Sequence, residues 1–140
     1  MSKDIQITKY GDPKKGANES IAKTNLELVV RVTSQAKTLC PVDKGDLRNS
    51  IMWKVPGQSG GLVEGAPVQE QPKADSGLVG SASDHAVYQE FGTRKQPAQP
   101  YLRPAVSIEV FGPNGANTMR KESIKAMKAA LNKGRKVYNV

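Results

Sequence analysis

Few residues in this chain have the type and spacing that covalent chemistry needs. There is one histidine, His85, and one cysteine, Cys40. A catalytic imidazole needs a nucleophile or an orienting partner, and a lone His reads better as a hydrogen-bonded structural residue. One Cys allows no intramolecular disulfide, and one Cys with one His cannot build a Cys/His zinc centre. Cys40 follows an apolar position and precedes Pro41, the setting of a buried structural thiol. Asp43, Asp46, Asp84 and Glu90 could converge as the carboxylate cluster of a metal-dependent nuclease. Asp43 and Asp84 read better as turn and helix caps, however, and Asp46 lies beside Arg48. No phosphate-binding loop, nucleophile elbow or dinucleotide fingerprint is present. The sequence therefore offers no catalytic, cofactor-binding or metal-ligating residue, and the expectation is a protein that is not an enzyme.

The remaining chemistry is electrostatic. The 140 residues carry 21 basic and 13 acidic side chains, a net charge of +8. From Met119 onward there are seven basic residues, Arg120, Lys121, Lys125, Lys128, Lys133, Arg135 and Lys136, against one acid, Glu122. Such a segment can neutralise phosphates of double-stranded DNA, or it can be a solvated face or meet an acidic protein. No aromatic residues interleave as a stacking platform for single strands. Leu, Ile, Val and Phe make up 29 of the 140 residues, little above the roughly 20% below which chains stay disordered. A core this lean suggests burial completed by copies of itself or by another protein. The opening MSKDIQITKY lacks a secretory h-region, and no apolar run approaches the roughly 20 residues of a membrane span. The expectation is a soluble protein made in a reducing cytoplasm, with no membrane contact.

The elements follow from periodicity and breakers. Ile5, Ile7 and Lys9 alternate with polar neighbours as a short edge strand. Gly11, Asp12, Pro13 and Gly16 break the chain, and Asn18 is placed to cap a helix running to Leu39. Its stripe is Ile21, Leu28, Val32, Ala36 and Leu39, with Val29 and Cys40 beside it. Pro41 ends it. Pro41 to Gly45 is a turn, and Ile51, Trp53 and Val55 mark a strand that Pro56 ends. Residues 56–77, rich in Pro and Gly, read as a mobile arm with a brief strand at Leu62–Val63. Leu78 to Ser81 is another strand. Asp84 is placed to cap a short helix on which Val87, Tyr88 and Phe91 share a face and which Gly92 stops. Pro104 opens a helix to about Phe111. Gly112 to Gly115 is a turn, and Asn117 or Thr118 caps a basic helix at 118–134. Its apolar stripe is Ile124, Met127 and Leu131, flanked by Ala126 and Ala130. The fold class is α+β: one domain over 1–140, with a small antiparallel sheet packed by a long N-terminal helix and C-terminal helices.

Three segments, PVDKGDLRNSI (Pro41 to Ile51), LVGSASDHAVYQEFGT (Leu78 to Thr93) and QPYLRPA (Gln99 to Ala105), occur in order after a long amphipathic helix. Together they resemble the neck or tail-completion family of long-tailed double-stranded DNA phages, typified by gene product ten of the Hong Kong lambdoid phage. The resemblance runs over about Asn18 to Ala105, more loosely to the end. It differs in the long 56–77 arm and in a break at Gly112 to Asn117 within what is often one helix. It implies a virion protein made in the host bacterial cytoplasm that acts at the head–tail junction. There it would form a homo-oligomeric ring, with six copies as the candidate number, against neighbouring neck and tail-terminator proteins. The alternative is a basic module binding double-stranded DNA through its C-terminal helix.

On that reading Arg48, Tyr88, Glu90, Phe91, Arg94, Tyr101 and Arg103 are the expected subunit or partner contacts. Tyr88 and Phe91 supply aromatic area beside Glu90, as interfaces often do. Arg94 and Lys95 lie on a loop, while Tyr101, Leu102 and Arg103 are expected in extended geometry before Pro104. Leu47, Ile51, Val79, Val87 and Leu102 read as core. For Arg48, Glu90 and Arg103 an intrachain ion pair competes with an intersubunit one.

Overall fold

Pro13 opens a 27-residue helix, α1 (Pro13–Leu39). A proline is at home there, because first-turn N–H groups have no intrahelical acceptor and its φ is already helical. The helix thus starts five residues before the expected Asn18 cap, and Gly16, expected to break the chain, is buried within it. The computed structural model describes residues 6–9, 13–41, 45–61, 71–133 and 135–139. The expected turn at Asp43, the strand at Leu62–Val63 and the stop at Gly134 lie outside the described residues.

The buried face of α1 holds Leu28, Val29, Val32 and Ala36, and Cys40 follows as a buried free thiol. Ile21 and Leu39, expected in that stripe, are exposed. Ser20, Thr24 and Thr33 are buried instead. The Thr24 and Thr33 hydroxyls donate to the carbonyls of Ser20 and Val29 at 2.8 and 2.7 Å. Bonding back one turn satisfies the hydroxyl inside the helix, so these small polar residues can be buried. A purely apolar stripe therefore misses part of the packing face.

After Gly45, held at φ 79°, comes a one-turn helix that periodicity does not reveal, α2 (Asp46–Asn49). Strand β2 (Ile51–Val55) follows. Pro56 does not leave the sheet: with Gly57 at φ 79° it forms a tight turn into β3 (Gln58–Gly60). Pro before a glycine of positive φ is the chemistry of a type II turn. The first residues of the expected arm are thus a β-hairpin. Gly60 lies under the Trp53 indole, which a Cβ would strike. Strand β4 (Leu78–Ser81) pairs with the other edge of β2, from Ile51 opposite Ser81 to Lys54 opposite Leu78. The antiparallel order is β3-β2-β4.

Three helices follow: α3 (Ala86–Phe91), α4 (Leu102–Glu109) and α5 (Pro113–Lys133). The glycine-rich turn expected at Gly112 to Gly115 is largely the first turn of α5. A Cβ on Gly115 would strike the Glu109 and Val110 carbonyl oxygens, so only glycine lets α5 turn this sharply off the end of α4. A second antiparallel pair joins β1 (Gln6–Lys9) to β5 (Lys136–Asn139), with Gln6 opposite Asn139. The α+β class and the long helix over a small sheet stand as expected; this second pair was not foreseen.

The core lies where α1, β2 and α4 meet. Val32, Ala36, Cys40, Ile51, Tyr101 and Ala105 form it, with Leu47, Val79, Leu102, Val106 and Val110 packed around them. The contact between α1 and α5 is the most extensive between elements among the described residues. On α5 the buried positions include Gly115 and Ala126, the latter an expected flank of the stripe, and Leu131 of the expected stripe is half-buried, while Ile124 and Met127 are 47% and 42% exposed. Small residues hold the most buried positions of α5.

Arg31 ties α1, α4 and α5 together. Its Nη2 lies 2.9 Å from Glu109 Oε2 on α4, and its Nη1 donates to Thr118 Oγ1 on α5. Thr118, expected as a cap, serves this bond. The Glu109 side chain is only 14% exposed, so losing its cation would strand a largely buried carboxylate. Arg31→Ala is expected to destabilise the fold by about 1–3 kcal/mol. Thermal unfolding would read this as a fall of several degrees in Tm, with Arg31→Lys losing less.

Candidate partner-binding surface

The α3 helix has its polarity reversed. It buries its acid, Glu90, at 5% exposure and leaves Val87, Tyr88 and Phe91 at 60%, 54% and 63%. Val87 is therefore not core, as its apolar character led one to expect.

The inward turn of Glu90 has a specific cause at the start of α4. A helix begins with N–H groups that lack acceptors. Glu90 Oε2 accepts from the Tyr101 and Leu102 N–H groups at 2.9 and 3.0 Å, and Oε1 accepts from the Arg103 N–H at 3.0 Å. The next residue, Pro104, has no N–H to satisfy. One carboxylate, eleven residues upstream, thus caps the whole first turn. It also holds Arg103 helical, a conformation that a following proline disfavours. So α4 starts at Leu102, not at Pro104, and Leu102 and Arg103 are not extended. Burial pushes the Glu90 carboxyl up, but the three backbone N–H groups and the Arg103 guanidinium outweigh it and hold the group below its ordinary value.

Arg103 closes the arrangement from outside. Its Nε lies 3.3 Å from Glu90 Oε1, and its side chain is 65% exposed. Its guanidinium carbon stands 4.4 Å from the centre of the Phe91 ring, a cation–π contact. This is the intrachain alternative for the Glu90–Arg103 pair.

Gly92, at φ 76°, ends α3 as expected, and its N–H donates to the Tyr88 carbonyl at 2.8 Å. A Cβ there would strike the Ala98 backbone. The next loop is pinned by the Thr93 N–H to the Gln96 carbonyl and the Gln99 N–H to the Gln89 carbonyl, both 2.8 Å. The Thr93 hydroxyl also accepts from the Lys95 and Gln96 N–H groups. Arg94 and Lys95 are thereby fixed at an exposed tip. A groove of about 390 Å³ lies between α3 and α4, lined by Phe91, Ala98, Pro100, Arg103, Pro104 and Ser107 among others. A cleft of about 510 Å³, with Leu47, His85, Tyr88 and Gln96 in its walls, lies on the α2 side of α3.

Of the expected contact residues, Tyr88, Phe91, Arg94 and Arg103 gather on this surface. Arg48 is exposed on α2, where its charge lowers the Cys40 thiol against the larger upward push of burial. Glu90 and Tyr101 point inward. Tyr101 is fully buried; burial pushes its hydroxyl up, and Ser81 pulls the other way. Asp84 precedes α3 without capping it; His85 holds the cap position. The groove residues Ala98, Pro100 and Ser107, and the exposure of Val87, escaped sequence reasoning, since nothing local shows that α3 faces outward. Arg120, Lys121, Lys125, Lys128 and Lys133 are exposed along α5, Arg135 is exposed beyond it, and Lys136 lies in β5. Among the described residues no group of three His, Cys, Asp or Glu side chains converges as a metal site.

Residues 6–92 match the model of the family described as "Bacteriophage HK97-gp10, putative tail-component". That is more than half of the chain, and the protein belongs to this phage tail-component family. The match runs from β1 to the end of α3, so it contains the first resembling segment and all of the second but Thr93, and leaves QPYLRPA outside. Membership implies a place in the virion, among other virion proteins. No curated protein and no solved structure gives a significant match. No helix among the described residues is long and apolar enough to cross a membrane.

Proposed function

We propose that this protein is a non-enzymatic part of the phage head–tail junction, assembling in several copies to complete the tail and join it to the DNA-filled head. The observation that carries the reading is the reversed α3 helix. Three large apolar side chains stand in water on a rigid ridge beside two depressions, and buried aromatic anchors of this kind supply most of the energy of protein contacts. The lean core supports the same reading.

A phage lacking the gene is expected to produce full heads and finished tails that stay apart in electron micrographs. Normal infectious particles would refute the role. Val87→Asp combined with Phe91→Ser is expected to leave the isolated chain folded, at a cost of about 0.5–1.5 kcal/mol, because both positions are more than half exposed and only the Phe91–Arg103 cation–π contact is lost. The same pair should abolish incorporation into particles.

A second reading rests on Lys121, Lys125 and Lys128, exposed within two turns of α5. If six or more basic groups of the C-terminal segment meet phosphates, duplex affinity falls roughly 10³–10⁵-fold between about 50 and 200 mM salt. No binding at low salt would dispose of it.

A further inference from the structure

The α3–α4 surface carries a charge pattern as well as an apolar one. Glu90 has its carboxylate directed inward onto three backbone N–H groups and Arg103 Nε. The acid closest to the ridge therefore offers nothing to solvent. Asp84 is exposed ahead of α3, at the other end of the ridge, but what is exposed around Phe91 is cationic: Arg103 on one side, Arg94 and Lys95 on the loop tip. Arg103 uses Nε toward Glu90, and its planar guanidinium is already oriented by that bond and by the Phe91 ring. An arginine held in this way presents its two Nη groups as a fork that matches a carboxylate. Below it, Ala98, Pro100 and Pro104 give the groove an apolar floor.

From this we infer that the Phe91–Arg103 groove docks an acidic, apolar segment of a different virion protein, with an Asp or Glu carboxylate seated on Arg103 and an aromatic or aliphatic side chain against Phe91. The inference rests on the contact role proposed above and names the partner's chemistry. A second copy docked face to face fits this place poorly, because two such faces brought together oppose Arg94, Lys95 and Arg103 to themselves, and a copy docked head to tail brings a chain of net charge +8 against cations. Duplex DNA fits poorly as well: phosphates would suit the cations but leave Val87, Tyr88 and Phe91 without an apolar partner.

The test uses the full chain, isotope-labelled for NMR, and two short synthetic peptides. One alternates Asp or Glu with Phe or Leu; the other is identical except that Asn and Gln replace the acids. The acidic peptide is expected to shift the amides of α3, the 93–100 loop and the start of α4, and to bind at least about tenfold more tightly than its amide twin. Arg103→Lys keeps the charge and the fold but loses the fork, and should weaken binding about tenfold; Arg94→Glu, on an exposed loop, should weaken it several-fold. Equal affinity for the two peptides, shifts confined to α5, or a DNA duplex perturbing the α3–α4 amides in place of the peptide would overturn the inference. So would self-association in sedimentation that Phe91→Ala or Arg103→Lys abolishes, since a second copy would then own the groove. These readings are made on purified protein. Their failure is thus distinct from failure of the junction role, which the deletion phenotype reports.

Discussion

Replacing Glu90 by alanine is expected to lower stability by about 2–4 kcal/mol, because it strips the cap from α4 and leaves buried N–H groups without an acceptor. Tyr101, one of the three donors, belongs to the core, so the loss spreads beyond the helix start. Glu90→Gln keeps one acceptor oxygen but turns an amide donor toward N–H groups, and should lose less. The pH dependence gives a second readout. The folded carboxyl titrates below its ordinary value of 4.5, so its contribution is fully present above that value. It is lost as the pH falls through the lower, folded value. Urea titrations at neutral and acid pH should show the gap between wild type and Glu90→Gln closing as the pH drops. A gap unchanged at acid pH would mean that the carboxylate charge does not hold this corner.

Tyr101→Ala is expected to be the most damaging single substitution in the core, at about 3–5 kcal/mol. Tyr101 is one of the two largest fully buried side chains, and it packs with Ile51, Ala36 and Ala105 where α1, β2 and α4 meet. The conservative change separates packing from polarity. The Tyr101 hydroxyl is buried without a hydrogen bond of ordinary geometry; the Ser81 side chain is near enough to pull on its titration, but so loose a contact offsets little of the desolvation cost that removing the group relieves. Tyr101→Phe should therefore be close to neutral, within about 1 kcal/mol, or slightly stabilising. Denaturant midpoints of the two variants would decide the matter. A large loss for Tyr101→Phe would show that the hydroxyl is held by a bond to its surroundings.

The elements legible in the sequence are those that single residues dictate. Pro41 stops the first helix, Gly92 stops the helix carrying Tyr88, and alternation around Trp53 marks a strand. The long helix, the sheet and the α+β class follow from such signals. Pro56 ends β2 as expected, but a proline that leads into an arm and one that turns a hairpin look alike until the following glycine is seen at positive φ. The face of α5 misled for another reason. The sharp turn off α4 selects Gly115 and burial selects Ala126, and a search for large apolar residues finds Ile124 and Met127 first. The candidate surface was half legible. Its aromatic and basic members were named, but the direction of Glu90 depends on N–H groups eleven residues later. Backbone donors leave no mark in a sequence.

The pairing of β1 with β5 sets residues 6 and 139 side by side, although almost the whole chain separates them. A contact of such long sequence separation closes a loop as large as the domain, so it forms late in folding and frays early. Amide exchange should therefore be faster along this seam than in β2. The same adjacency permits a permuted chain, in which a short peptide joins the two strands and new ends are cut elsewhere. Such a molecule would turn the longest-range strand pairing among the described residues into a covalent link.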